Sequence, residues 1–251
     1  MSRRILITGA SSGIGKHLAL EFAARGDRLA LAARRVDSLQ ALKQEILARH
    51  PQAQVELRAL DVQALDTVAP LIEELAATLG GLDIIIANAG IGDGGGLIGS
   101  GGFDRDAAII QTNVLGAMAT IDAAVALFRR QQHGHVVAIA SVAAARGLPG
   151  AGSYSASKAA IAVYADSARN ELHGSKVHVT TLYPGFIDTP INQRLASRPF
   201  VITVEKGARL IAGLIERRVQ EAAVPGFPWA FVMWLMRRLP ASVLAKQNPL
   251  K

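Results

Sequence analysis

The chain has 251 residues, half of them apolar and 19% charged, with no cysteine and a net charge of +7. The apolar share supplies a core and argues against a disordered chain, and the length fits one open α/β domain. Absence of cysteine excludes disulfides, thiolate nucleophiles and thiolate metal sites; the arginines are scattered, without the aromatic-laced stripe or finger spacing of a nucleic-acid module, so no nucleic-acid partner is predicted.

Residues 4–8 are apolar and read as a first strand that runs directly into Gly9. The basic start before them lacks the apolar stretch and cleavage site of a signal peptide, and a cytoplasmic location is expected. Gly9, Ser11, Ser12, Gly13, Ile14 and Gly15 follow in a run whose three glycines allow a tight turn and close approach of backbone to ligand. With a strand before it and an apolar helix over 15–25 after it, this run suits a dinucleotide diphosphate, because a helix start directs unpaired N–H groups at phosphate oxygens.

A second strand over 28–32 leads into Ala33, Arg34 and Arg35. Enzymes that use NAD place an acidic side chain near this point for the ribose hydroxyls, whereas Arg34, with Arg35, offers forked donors for a 2'-phosphate. NADP(H) is therefore the preferred cofactor, with NAD(H) as the alternative.

A helix over 35–50, a strand over 55–60, a helix over 65–79 closed by Gly80 and Gly81, and a strand over 82–87 come next. The glycine-rich stretch 90–102 predicts a loop beside the ligand crevice. One long helix is expected over 104–131, then a strand over 135–140, helices over 154–172 and 205–217, and strands over 177–182 and 219–224. His133 and His135 flank a strand start without a third ligand, which predicts a turn or surface role, and no metal site is expected. Several strands are continuously apolar, as in a sheet covered by helices on both faces. The fold predicted is α/β, a single Rossmann-type doubly wound domain over 1–251 with about seven parallel strands.

Tyr154 and Lys158 are four residues apart and share one side of a helix. A phenol titrates near about 10, too high for a base at neutral pH unless a cation stabilises phenolate, and Lys158 supplies one. Ser141 follows a strand and is placed to donate to a substrate oxygen while Tyr154 moves the proton.

Taken in order, Thr8 to Gly15 (TGxxxGIG), Asp61-Val62, Asn88-Ala89-Gly90, Asn113, Ser141, the Tyr154 and Lys158 pair, and Pro184-Gly185 followed by Thr189 closely resemble the classical short-chain dehydrogenase/reductase family. The resemblance spans about residues 3 to 190. It implies that Asp61 and Val62 line the adenine side, that Asn88, Ala89 and Gly90 shape the cofactor cleft, and that Pro184, Gly185, Ile187 and Thr189 flank nicotinamide. It implies further that Asn113 maintains a water and proton relay to Lys158, that hydride passes between nicotinamide and a carbonyl carbon, and that the protein is a homodimer or homotetramer.

Residues 186–251 fall in the variable, substrate-covering region, and their apolar side chains favour a hydrophobic carbonyl or alcohol substrate. Oxidation by an alcohol or hydroxysteroid dehydrogenase is the rival direction, and a non-enzymatic NADP-binding scaffold the rival class. The apolar run 227–236 is too short to span a membrane, which takes roughly 20 residues. A core, lid or subunit contact is expected of it, and weak peripheral membrane contact is the remaining alternative.

Overall fold

The computed structural model describes residues 2–92, 96–193, 195 and 197–244. Its centre is a parallel sheet built outward from β1 (Arg4–Thr8), which pairs with β2 (Arg28–Ala33) on one side and β4 (Ile84–Ala87) on the other. With β3 (Val55–Ala59), β5 (Gly134–Ile139), β6 (Val177–Pro184) and β7 (Glu221–Val224), the order is β3-β2-β1-β4-β5-β6-β7. The chain winds from β1 to one edge and returns to the far side of β1. That reversal opens a crevice at the carboxyl ends of β1 and β4.

Side chains alternate along each strand, so each strand feeds two cores. Ile5 and Ile7 join Leu29, Leu31, Ile86 and Val137 under α1 (Gly13–Ala24), α2 (Val36–Arg49) and α7 (Val204–Glu216). Leu6 joins Ala30, Ile85 and Val136 under α3 (Leu65–Leu79), α5 (Ala117–Gln131) and α6 (Gly152–Glu171). A third, smaller cluster seats Trp229 and Met233 of α8 (Gly226–Met236) on Tyr183, Val142 and Ala223.

The long helix expected over 104–131 is present as one continuous run, Phe103–Gln131, with an irregularity inside it. α4 (Phe103–Ile110) gives way to a π-helical turn, Gln111–Gly116, before α5 begins. Apolar spacing continues through the turn, so periodicity alone does not register it. The combined run 103–131 is long and apolar enough to cross a membrane by length and composition, but half of its most apolar window is buried against the rest of the domain.

His135 also corrects expectation. It lies inside β5 at 3% exposure, with Nε2 2.8 Å from Thr180 Oγ1 and its ring edge-on to His178 at 6.2 Å. Burial drives its pKa down to about 3, so it is a neutral core side chain and not a surface one. Among the described residues no cluster of three metal-binding side chains occurs.

Candidate active site

Thr8 ends β1 and fastens the crevice. Its hydroxyl accepts from the N–H groups of Asn88 (3.2 Å) and Ala89 (3.3 Å), while Asn88 Nδ2 donates back to the Thr8 carbonyl at 2.9 Å. Backbones meet so closely here that a Cβ on Gly9, whose φ is +67°, would fall 2.7 Å from Ala89 Cα. One on Gly15 would fall 2.5 Å from Asn88 Nδ2. Ser12, at the start of α1, makes no side-chain cap, so the first turn keeps its N–H groups for another acceptor.

The cradle therefore fits a diphosphate: small residues, a bare helix start, and arginines at its rim. Arg34 and Arg35 are exposed where β2 ends. Arg35 donates to Ser11 Oγ (3.1 Å) and Ser12 Oγ (2.8 Å), and Arg34 lies 4.0 Å from Asp61. Val62 is buried beside them, and a Cβ on Gly116 of the π-helical turn would come within 2.6 Å of Val62 Cγ2.

That turn ties the cradle to the second half of the site. Thr112 Oγ1 accepts from Gln63 Nε2 at 2.9 Å. Asn113, 1% exposed, accepts from Ile91 N–H at 2.8 Å and donates to the Ile91 carbonyl at 2.9 Å and to Ser157 Oγ at 3.2 Å. Gly90 lies against the same group, since a Cβ there would be 3.2 Å from Asn113 Oδ1 and 3.5 Å from Lys158 Nζ.

Lys158 is buried and donates to the Ile139 carbonyl at 2.9 Å, and burial lowers its pKa to about 8. Its ammonium is 5.9 Å from the Tyr154 ring centre. Burial raises the Tyr154 pKa, and a hydrogen bond with Ser141 opposes this. Ser141 is held by a bond from Ala143 N–H (3.2 Å) and one to the Pro184 carbonyl (3.4 Å).

Pro184 ends β6, and Gly185 next to it has Trp229 so close that a Cβ would overlap the indole at 2.2 Å. Ile187 and Thr189 are buried, and Thr189 sits 3.5 Å from where a Cβ on Gly13 would project, so this segment reaches back to the cradle. From the glycine-rich stretch, Gly96 bridges Ala151 at the start of α6 and Gly92 packs under Ile191. Asp93, Gly94 and Gly95 of that stretch lie outside the described residues.

These contacts join the glycine cradle to Asn88 and Ala89, and Gly90 to Asn113 and Lys158. A family model for short chain dehydrogenases matches residues 3–199. The chain belongs to the short-chain dehydrogenase/reductase family. This short-chain dehydrogenase is 40% identical over 239 residues to an uncharacterized oxidoreductase of Mycobacterium tuberculosis, covering 95% of this chain and 94% of that one. It resembles, at TM-score 0.80 and 26% identity over 89% and 96% of the two chains, an alcohol dehydrogenase from the archaeon Thermococcus sibiricus complexed with 5-hydroxy-NADP. A family member from Burkholderia phymatum in complex with NAD shares the fold at TM-score 0.83 and 23% identity, over 98% and 95%. The class is oxidoreductase.

Three contributors escaped sequence reading. Ser157 lies within the Tyr154 to Lys158 turn and its spacing from both was the available signal. Gln63 and Trp229 carry no local signal, because their partners, Thr112 and Gly185, are remote in sequence.

Proposed function

We propose that this dehydrogenase uses NADP(H) to interconvert a carbonyl and a secondary alcohol, reducing a hydrophobic ketone or aldehyde. The observation that carries the reading is the meeting of Tyr154, Lys158 and Ser141 at the end of β5 beside a glycine cradle edged by Arg34 and Arg35. NADP(H), when bound, supplies the hydride.

The chain's residues do the rest. Gly9, Gly13 and Gly15 let backbone N–H groups reach the diphosphate, and Arg34 and Arg35 meet the 2'-phosphate with forked donors. Asp61 and Val62 border the adenine, and Asn88, Ala89 and Gly90 close the cleft. Pro184, Gly185, Ile187 and Thr189 line the nicotinamide side. Ser141 donates to the substrate oxygen. Tyr154, protonated because burial raises its pKa, gives its proton to the oxygen that becomes the alcohol. The Lys158 ammonium stabilises the phenolate that this leaves, and Asn113 fixes the helix that carries both.

Exposed Phe200 and half-exposed Ile191 border the crevice and support an apolar substrate. Val163, 67% exposed on α6, supports a subunit contact in a homodimer or homotetramer. A cytoplasmic location completes the reading.

The test is turnover with NADPH and with NADH against hydrophobic ketones and aldehydes, for the wild type, Tyr154→Phe and Arg34→Ala/Arg35→Ala. NADPH-dependent reduction is expected, lost by about 100-fold or more in Tyr154→Phe while NADPH still binds. The arginine variant should weaken NADPH and leave NADH unchanged. Near-normal turnover by Tyr154→Phe would sink the assignment.

A further inference from the structure

We infer that the outer face of α8 docks on an anionic lipid surface. α8 has 11 residues and a non-helical backbone at Phe227, so its helical part is shorter than about 16 Å and cannot cross a bilayer. It is apolar on every side, a composition expected of a helix that is enclosed on every side. Only its inner side is enclosed: Trp229 and Met233 are buried, while Phe227, Phe231 and Trp234 are 86%, 56% and 50% exposed. Phe231 and Trp234 stack at 5.9 Å.

Charge selects the occupant. Arg238 lies 4.3 Å over the Trp234 ring and donates to the Trp234 carbonyl, which puts a guanidinium at the edge of the aromatic surface. No acidic residue follows Glu221 in the sequence, whereas Arg237, Arg238, Lys246 and Lys251 do. Aromatic side chains beside arginines match the boundary between acyl chains and phosphate headgroups. A second copy of the same face would offer apolar surface but the same sign of charge.

The test is sedimentation with vesicles of phosphatidylcholine and phosphatidylglycerol in equal parts, against vesicles of phosphatidylcholine alone. Full-length protein should sediment with the anionic vesicles and be released as salt rises. Phe227→Ser/Phe231→Ser/Trp234→Ser should remain in the supernatant, and Arg237→Glu/Arg238→Glu should lower partitioning by at least about tenfold. Circular-dichroism melting reports whether each variant folds; should the aromatic variant not fold, the arginine variant decides. Wild-type protein that stays in the supernatant overturns the inference, as does equal sedimentation of wild type and the folded variants. So does size-exclusion evidence that the aromatic variant loses a subunit while the wild type ignores vesicles, which would make the face a contact between copies.

Discussion

Asn113 Nδ2 donates to Ser157 Oγ at 3.2 Å, joining the π-helical turn to the helix of Tyr154 and Lys158 across 44 residues of sequence. Because the same side chain also pairs both backbone groups of Ile91, one buried amide spaces the loop after β4 from α6. Asn113→Leu keeps the bulk and strands the Ile91 N–H and carbonyl. A loss of about 2–4 kcal/mol is expected from those two groups, read as a lower denaturation midpoint, together with reduced turnover. Ser157→Ala removes two bonds, the one accepted from Asn113 and the one donated to the Tyr154 carbonyl at 2.8 Å, should cost about 1–2 kcal/mol, and should retain most of the stability while still lowering turnover.

Lys158 is lowered to about 8 by burial, so its ammonium is lost as pH rises through that value. If the charge supports the proton transfer at Tyr154, kcat/KM falls on the alkaline side near pH 8, since that parameter reports groups of the free enzyme. Lys158→Arg holds its charge throughout this range and should remove the alkaline fall, even though its absolute rate is lower. A fall that persists unchanged in Lys158→Arg would assign it to another group.

His135 makes stability depend on acid. Its folded pKa, about 3, lies below the ordinary imidazole value, so its contribution is complete above about pH 6.5 and is lost as pH falls toward 3. In that window the unfolded chain binds a proton that the folded one refuses, at a cost on the order of 1.4 kcal/mol per pH unit. His135→Leu should flatten the decline in Tm between pH 6.5 and 4. Thr180 Oγ1 keeps its bond to the Val219 carbonyl in this variant, so the hydroxyl is not stranded.

Gly185 has no room for a methyl group, because the indole of Trp229 occupies the space and is itself braced edge-on by Phe186 and Phe200 at 5.6 and 5.9 Å. Gly185→Ala should cost about 1–3 kcal/mol by overpacking. Trp229→Leu opens the space, so the double variant should lose less than the sum of the two single losses. Thermal melting of the four proteins measures the difference.

The sheet was legible in the sequence because strands such as Ile84–Ala87 are apolar on both sides, a pattern only an enclosed parallel strand sustains. The glycine cradle was legible for a similar reason: Gly9 and Gly15 answer steric demands that no other residue meets. The last strand was expected from 219 and begins at Glu221, since the apolar Val219 serves the turn before it. His135 was misjudged because burial depends on what crosses it from β6, here Thr180 and His178.

The turn at Gln111–Gly116 holds one residue more than its α-helical neighbours. Since each residue advances an α-helix by about 100°, that surplus acts as a phase shifter between α4 and α5. It lets Asp106 on α4 meet Ser153 on α6 while Ile121 and Ala124 on α5 still face the sheet, and it leaves Asn113 pointing between them. A chain shorter by one residue here would swing one of these partners away. What the site inherits at this point is a length as much as an asparagine.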